Sequence, residues 1–238
     1  MIEDCAALKP AFFPSVPRLY NRIYGKLTAG IEAKASPVRW LINKGLNAKL
    51  AALNRDGRVT HGCYDKLFAK FRNLLGGKVK LMTTGSAPID KKVLDFLKCC
   101  FSVPIIEGYG LTESATGGGT TDIKDPVTGH VGGPSEAVKI RLKDLPEMEY
   151  FSSDKPYPRG EICLTGPCIF KGYYKNEEKT AEAFDESGWF KTGDVGMIYP
   201  NGSIKIIDRS KNIFKLSQGE YIAPEKLENV FVLSPYIA

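Results

Sequence analysis

An α/β fold is predicted, with a mostly parallel layer first and a β-rich region after it. Three observations predict it. Helical periodicity runs through the first hundred residues. Short strand-like runs at 78–84 and 104–110 interrupt it. After about Gly117 the pattern shifts to two-residue alternation broken by Gly and Pro. Helices alternating with strands are the mark of a parallel sheet with helices on its faces, and alternation without helices marks antiparallel sheet.

In chain order, Val16, Leu19, Tyr20, Ile23, Tyr24 and Leu27 follow the i, i+3, i+4, i+7 rule of an amphipathic helix. Leu41, Ile42, Leu46, Leu50 and Leu53 form a weaker stripe. Tyr64, Leu67, Phe68, Phe71, Leu74 and Leu75 predict a third helix, stopped by Gly76-Gly77. KVKLMTT then reads as a strand. Pro88 suits the first turn of a helix over PIDKKVLDFLKCCF, and PIIEGYG returns to strand. Val138, Ile140 and Leu142 alternate with Lys139, Arg141 and Lys143, the pattern of a half-buried strand. GEICLTG, VGMIYP and SIKIIDR are further strands, and KNEEKTAEAF a short helix. Asn201-Gly202 between two strand-like runs predicts a hairpin turn rather than a glycosylation site. From Asp208 the chain reads as a connector leading into a helix at APEKLENVF. Its apolar residues Val230, Phe231, Val232 and Leu233 are left without a partner surface, so a piece of a longer protein is expected.

The composition narrows the function. At 238 residues, 43% apolar and 25% charged, the chain is an ordinary globular sequence with room for one or two domains. No apolar run approaches the roughly 18 residues of a membrane span, and acids stand where a signal peptide would be basic. The net charge of +6 is concentrated early. Lys9, Arg18, Arg22, Lys26, Lys34, Arg39, Lys44 and Lys49 are accompanied by one acid, Glu32. This bias suits a solvated helix face, a phosphorylated ligand or an anionic membrane surface. No RNA-module signature supports nucleic acid. The six cysteines form no CxxC, and with His61 and His130 the only histidines, a zinc site has little to build on. Reduced thiols point to the cytoplasm or the cytosolic face of an intracellular membrane.

Common catalytic patterns are missing: no GxxxxGK[ST], GxGxxG, GxSxG or HExxH occurs. Gly117-Gly118-Gly119 alone is a weak phosphate-loop signal. What stands out is four polar, glycine-bearing stretches, each following a strand. They are TTGSAPI at 83–89, EGYGLTES at 107–114, GWFKTGDVG at 188–196 and IDRSKNIFKLSQGEYIAPEKLE at 207–228. In open α/β sheets ligands bind at the carboxyl ends of strands. Together the stretches hold what a nucleotide needs. Tyr109 offers an aromatic face and Asp194 a carboxylate for ribose hydroxyls. Thr112 and Glu113 set a hydroxyl beside an acid for magnesium and phosphate, and Arg209, Lys211 and Lys215 supply cations.

These stretches resemble adenylate-forming enzymes, and among them long-chain fatty acyl-CoA synthetases. YGLTES resembles the adenine and magnesium motif. GWFKTGDVG with GSIKIIDRSKNIFKLSQGEYIAPEKLE resembles the long-chain signature, and RGEICLTGPCIFKGYYKNEEKTAEAF and PAFFPSVPRLYNRIYGKL extend the likeness to nearly the whole chain. The resemblance implies roles. Gly85, Ser86 and Ala87 would line the adenine and acyl-carboxylate side of the pocket. Tyr109 would stack on adenine between Gly108 and Gly110. Thr112 would hold phosphate oxygens, and Glu113 magnesium. Asp194 would accept both ribose hydroxyls, and Arg209 would contact ribose or phosphate. Lys211 would be the hinge between large and small domains, Lys215 would neutralise charge on the adenylate, and Gly219 would open the path of the CoA thiol.

The implied reaction activates a long-chain fatty acid with ATP and magnesium, then transfers the acyl group to CoA. It needs no serine or cysteine nucleophile, because the substrate carboxylate is one. The implied domains are 1–128, the α/β part of the large domain; 129–207, its β-rich subdomain; and 208–238, the hinge and the start of the small domain. The family's phosphate loop would precede Met1 and its catalytic lysine would follow Ala238, so this chain alone is expected to be inactive. Ser210 stands where a basic residue is common in the long-chain group. Two other readings stay open: a different adenylate-forming ligase, and a non-catalytic lipid- or partner-binding module. Peripheral membrane contact in the full-length protein is a further expectation.

Overall fold

The computed structural model describes residues 2–216, 221–231 and 234. The described residues divide into two compact units, 2–107 with 122–129, and 108–121 with 130–216 and 221–231.

The first unit is a parallel layer covered by helices. Its elements are α1 (Ile2–Leu8), β1 (Phe12–Ser15), α2 (Pro17–Glu32), α3 (Ser36–Asp56), α4 (Ala69–Asn73), β2 (Leu81–Thr84), α5 (Lys91–Phe101) and the first part of β3 (Ile105–Tyr109). β1 pairs with β2 and β2 with β3, both parallel. The apolar stripe on α2 does what its spacing predicts: Tyr20, Ile23, Leu27 and Ile31 are buried. Tyr20 is fully enclosed, and its hydroxyl donates to the Phe13 and Thr83 carbonyls, tying the helix to β1 and β2. α5 is buried along most of its length, from Val93 to Phe101.

Three local readings change. The third helix is one short turn of α-helix, Ala69–Asn73, between hydrogen-bonded turns; Phe68 and Leu75 are buried all the same, so the stripe reported burial more faithfully than helix length. Pro88 lies ahead of its helix, which begins at Lys91 with the Asp90 carboxylate accepting the Lys92 N–H at 2.7 Å. β1 had no sequence signal, being four residues long with Pro14 inside it. As an edge strand it tolerates the missing N–H.

The second unit is mainly antiparallel. β3 gives it Gly108 and Tyr109, which pair with β4 (Gly119–Thr120); β4 pairs in turn with β5 (Gly133–Pro134). A four-stranded antiparallel sheet follows the order β6 (Lys139–Lys143), β7 (Arg159–Thr165), β8 (Phe190–Ile198), β9 (Ile204–Arg209). α6 (Glu177–Ala183) lies between β7 and β8 in the chain, its Asn176 side chain accepting the Lys179 N–H. The small ribbon β10 (Phe214–Lys215) and β11 (Tyr221–Ile222) and then α7 (Pro224–Phe231) complete it. Ile162, Leu164, Phe190 and Ile204 form the core of this sheet. The Asn-Gly turn joins β8 to β9, closed by the Tyr199 N–H on the Ser203 carbonyl and with Gly202 at φ +82°.

All six cysteines are free thiols, and burial pushes Cys99 up to about 12 and Cys163 up to about 11. Among the described residues no helix is long and apolar enough to cross a membrane.

Candidate functional site

The site lies in the second unit and starts at the end of β3. Tyr109 is the last residue paired in that strand, and its ring packs partly into the sheet core. The next residues turn sharply. A Cβ on Gly110 would stand 2.1 Å from the Thr116 carbonyl oxygen, so no other residue fits there without moving the loop. Thr112–Ser114 is a single 3-10 turn, fixed where the Leu111 N–H donates to the buried Ser114 Oγ at 3.0 Å. Ala115 and Thr116 follow at φ +48° and +64°. Two adjacent non-glycine residues in the left-handed region store strain of about 1–3 kcal/mol each, a cost that clusters at ligand-binding sites.

Asp194 comes from β8. Gly193 before it takes φ +73°, with its N–H on Glu161 Oε1 at 3.1 Å. Thr192 Oγ1 donates to the Ile162 carbonyl and accepts the Asp194 N–H at 3.0 Å. These contacts fix the Asp194 backbone, and the residue is 5% exposed. Its Oδ2 accepts the Tyr109 hydroxyl at 2.8 Å, and its Oδ1 lies 3.3 Å from Arg209 Nε. Strand register explains the second contact, since Asp194 and Arg209 are directly opposed across β8 and β9. Burial raises the Asp194 carboxyl above the usual range, and the Asp208 and Glu113 charges add to this, against the Tyr109 hydrogen bond and the Arg209 charge. Burial, with the Asp194 charge, likewise pushes the Tyr109 hydroxyl up, so it stays a donor.

Glu113 is half-buried, and its Oε1 accepts the Tyr173 hydroxyl at 2.9 Å. Tyr109, Asp194 and Arg209 thus form one connected group, with Glu113 near enough to act on it electrostatically. Gly108 and Gly110 flank Tyr109, and Thr112 is exposed at the start of the turn that carries Glu113. Lys211 is exposed in the turn after β9. Gly85, Ser86 and Ala87 follow β2 in the first unit, with Ser86 at φ +71°. Lys215 pairs with Tyr221 in β10 and β11; its side chain, and the whole of Gly219, lie outside the described residues.

Sequence reasoning passed over two neighbours of these residues. Tyr173 reaches Glu113 from 60 residues away with no local signal, whereas Thr192 stands two residues before Asp194 inside the GWFKTGDVG stretch and only its role was missed. Separately, in the first unit Thr84, just before Gly85, is 5% exposed and its Oγ1 has no hydrogen-bond partner.

In chemical terms this is an aromatic ring, a buried carboxylate opposed by an exposed guanidinium, and a second carboxylate beside a free hydroxyl. Among the described residues no cluster of three or more His, Cys, Asp or Glu could hold a metal by itself. A single carboxylate fits magnesium carried on substrate phosphates, since that ion commonly takes one or two carboxylates plus phosphate oxygens.

Comparison with known proteins gives concordant results. The family described as AMP-binding enzyme matches residues 1–174. The chain is 49% identical to long chain acyl-CoA synthetase 6, peroxisomal, of Arabidopsis thaliana over 238 residues, and 45% identical to long-chain-fatty-acid–CoA ligase 1 of Cavia porcellus over 239 aligned positions. In both cases it spans all of this chain and 34% of the relative. It therefore covers about a third of those proteins' length. Among solved structures, the A domain of carboxylic acid reductase from Segniliparus rugosus, in complex with AMP and a co-purified carboxylic acid, superposes with a TM-score of 0.74 at 32% identity. That match covers 98% of this chain and 32% of that one.

Proposed function

This chain belongs to the AMP-binding enzyme family, and from that premise we propose that it is the nucleotide-holding part of a long-chain fatty acid–CoA ligase. The reaction joins a fatty carboxylate to ATP, releasing pyrophosphate, and then exchanges AMP for CoA.

The observation that carries the proposal is the Tyr109–Asp194–Arg209 group. A buried carboxylate already organised by a hydroxyl and a strand partner is pre-oriented to accept hydroxyl donors, and both oxygens keep lone pairs after the contacts present. The Tyr109 ring supplies a flat surface at the same place. Arg209, 63% exposed at its side chain, is free to turn toward phosphate without leaving its strand. The acyl-CoA synthetase relatives support a fatty acid substrate, and the AMP and carboxylic acid bound by the reductase domain support the nucleotide and acid classes.

In this reading the chemistry divides as follows. A carboxylate oxygen attacks the α-phosphorus, and the bond to pyrophosphate breaks. The CoA sulfur then attacks the acyl carbon, and AMP leaves with the bonding pair. The obstacle is the approach of an anion to a polyanion, which positioning and charge neutralisation overcome. Asp194 and Tyr109 hold the nucleoside, and Arg209 and Lys215 offset phosphate charge. Thr112 would hold phosphate oxygens and Glu113 would hold magnesium, which when bound neutralises the phosphates. Gly85–Ala87 would border the acid, Lys211 would be the hinge and Gly219 would lie on the CoA path. We assign the domains as 1–128, 129–207 and 208–238, and the location as the cytoplasm or the cytosolic face of an intracellular membrane.

The test is pyrophosphate release by the full-length protein that carries this chain, supplied with palmitate, ATP and CoA and then with a panel of aryl and short-chain acids. Release with palmitate that depends on Asp194 is expected. A preference for aryl acids, or no release with any acid, would overturn the proposal.

A further inference from the structure

Glu113 is held at two points by one distant segment. Its carbonyl accepts the Phe170 N–H at 2.8 Å, and its Oε1 accepts the Tyr173 hydroxyl at 2.9 Å. The segment that makes these contacts is itself braced. The Phe170 ring meets Tyr173 edge-on at 4.8 Å and stacks on Phe184 at 5.7 Å. The Tyr173 N–H donates to Thr180 Oγ1 at 2.9 Å, and Thr180 Oγ1 donates to the Asn176 carbonyl at 2.7 Å at the start of α6. Gly172 lies so close to Thr180 that a Cβ there would stand 2.5 Å from Cγ2. The tyrosine is therefore delivered to Glu113 by a rigid corner and not by a loose loop.

A glutamate has three side-chain torsions and, half-exposed, would sample several rotamers. One hydrogen bond to one oxygen, from a donor fixed by its neighbours, removes most of that freedom and leaves the second oxygen uncommitted. We propose that Tyr173 is a positioning residue for Glu113, locking its carboxylate so that the oxygen not bonded to the tyrosine is presented to a divalent cation on the nucleotide. This rests on the reading of Glu113 given above.

The test uses the full-length protein, ATP, and manganese(II) as the divalent probe, read by the loss of its free-ion EPR signal and by steady-state rate. Tyr173→Phe removes one oxygen and keeps the ring. The manganese concentration giving half-saturation in the presence of ATP should rise about five- to tenfold, the scale of losing the net contribution of one ordinary hydrogen bond. The rate at saturating metal and the melting temperature should stay close to wild type. In a Glu113→Gln background, Tyr173→Phe should add almost nothing, since the tyrosine acts only through that carboxylate. Unchanged metal dependence in Tyr173→Phe, or the same loss in both backgrounds, overturns the positioning role. A Glu113→Gln variant that binds manganese like wild type removes the glutamate's ligand role and the present proposal with it.

Discussion

Each unit contains a buried aspartate opposed by a cation, and the two are finished differently. Asp95, 6% exposed, has both oxygens taken: Oδ2 accepts Lys91 Nζ at 2.8 Å and Oδ1 accepts Thr128 Oγ1 at 2.8 Å. Lys91 Nζ also donates to Thr128 Oγ1, closing a triangle. Asp194, 5% exposed, has one short bond from Tyr109 and a looser 3.3 Å approach from Arg209. Burial alone therefore does not mark a functional carboxylate. The informative feature is whether its partners complete it. A completed network rigidifies, and one that keeps a loose, exposed partner remains able to take a ligand.

The sharpest way to break this comparison is to remove the charge at each aspartate. Asp194→Asn should lower kcat/KM for ATP in the full-length protein about 100-fold, or about 3 kcal/mol, while its melting temperature moves little. Asp95→Asn should leave ATP use within about twofold and lower the melting temperature measurably, since it removes a charge from a closed buried network. Equal losses of ATP affinity in both variants would erase the distinction.

Next in size is a pH effect from the first unit. Glu107, on β3, accepts the Gly129 N–H at 3.0 Å and is 8% exposed. Burial raises its carboxyl to about 7, against that hydrogen bond and the Lys98 and Lys91 charges, with Asp95 adding to the rise. The folded state thus keeps a proton that the unfolded chain has released. Its contribution is full below the ordinary glutamate range near 4.5 and is lost as pH climbs through about 7. Glu107→Gln should flatten the fall in stability between pH 5 and 8, a difference on the order of 2 kcal/mol by chemical denaturation. A parallel pH profile in both proteins would contradict the assignment.

Smaller still, Tyr109→Phe keeps the ring and loses the donor to Asp194. ATP affinity should weaken about fivefold to tenfold, measured by calorimetry. If affinity is unchanged, the hydroxyl does not organise the carboxylate. The least effect belongs to Lys91→Met. Its side chain is half exposed, and exposed ion pairs contribute about 1 kcal/mol or less. A loss of several kcal/mol in thermal unfolding would show that the closed triangle acts as more than its pairs.

How far the sequence could be read follows from the range of the interactions. The stripe on α2 and the alternation of β6 were legible because each depends on spacing within one element. β1 was not, since Pro14 and a length of four residues hide it until β2 lies alongside. Lys49 reads as one cation of a basic run, yet it is fully buried, its ammonium on Asp65 and 2.6 Å from Ser102 Oγ. In the site, Tyr109, Glu113 and Asp194 stood out as polar chemistry among glycines. The link from Tyr173 to Glu113 spans 60 residues and leaves no local trace.

The order of amino acids by itself determined the class of fold and the kinds of group available to a nucleotide, because periodicity and side-chain identity are properties of neighbours along the chain. Tertiary structure alone decided that Asp194 faces Arg209, that Tyr109 donates to the same carboxylate and that Tyr173 restrains Glu113. Strand register and loop packing set those distances, and both depend on contacts between residues far apart in the chain.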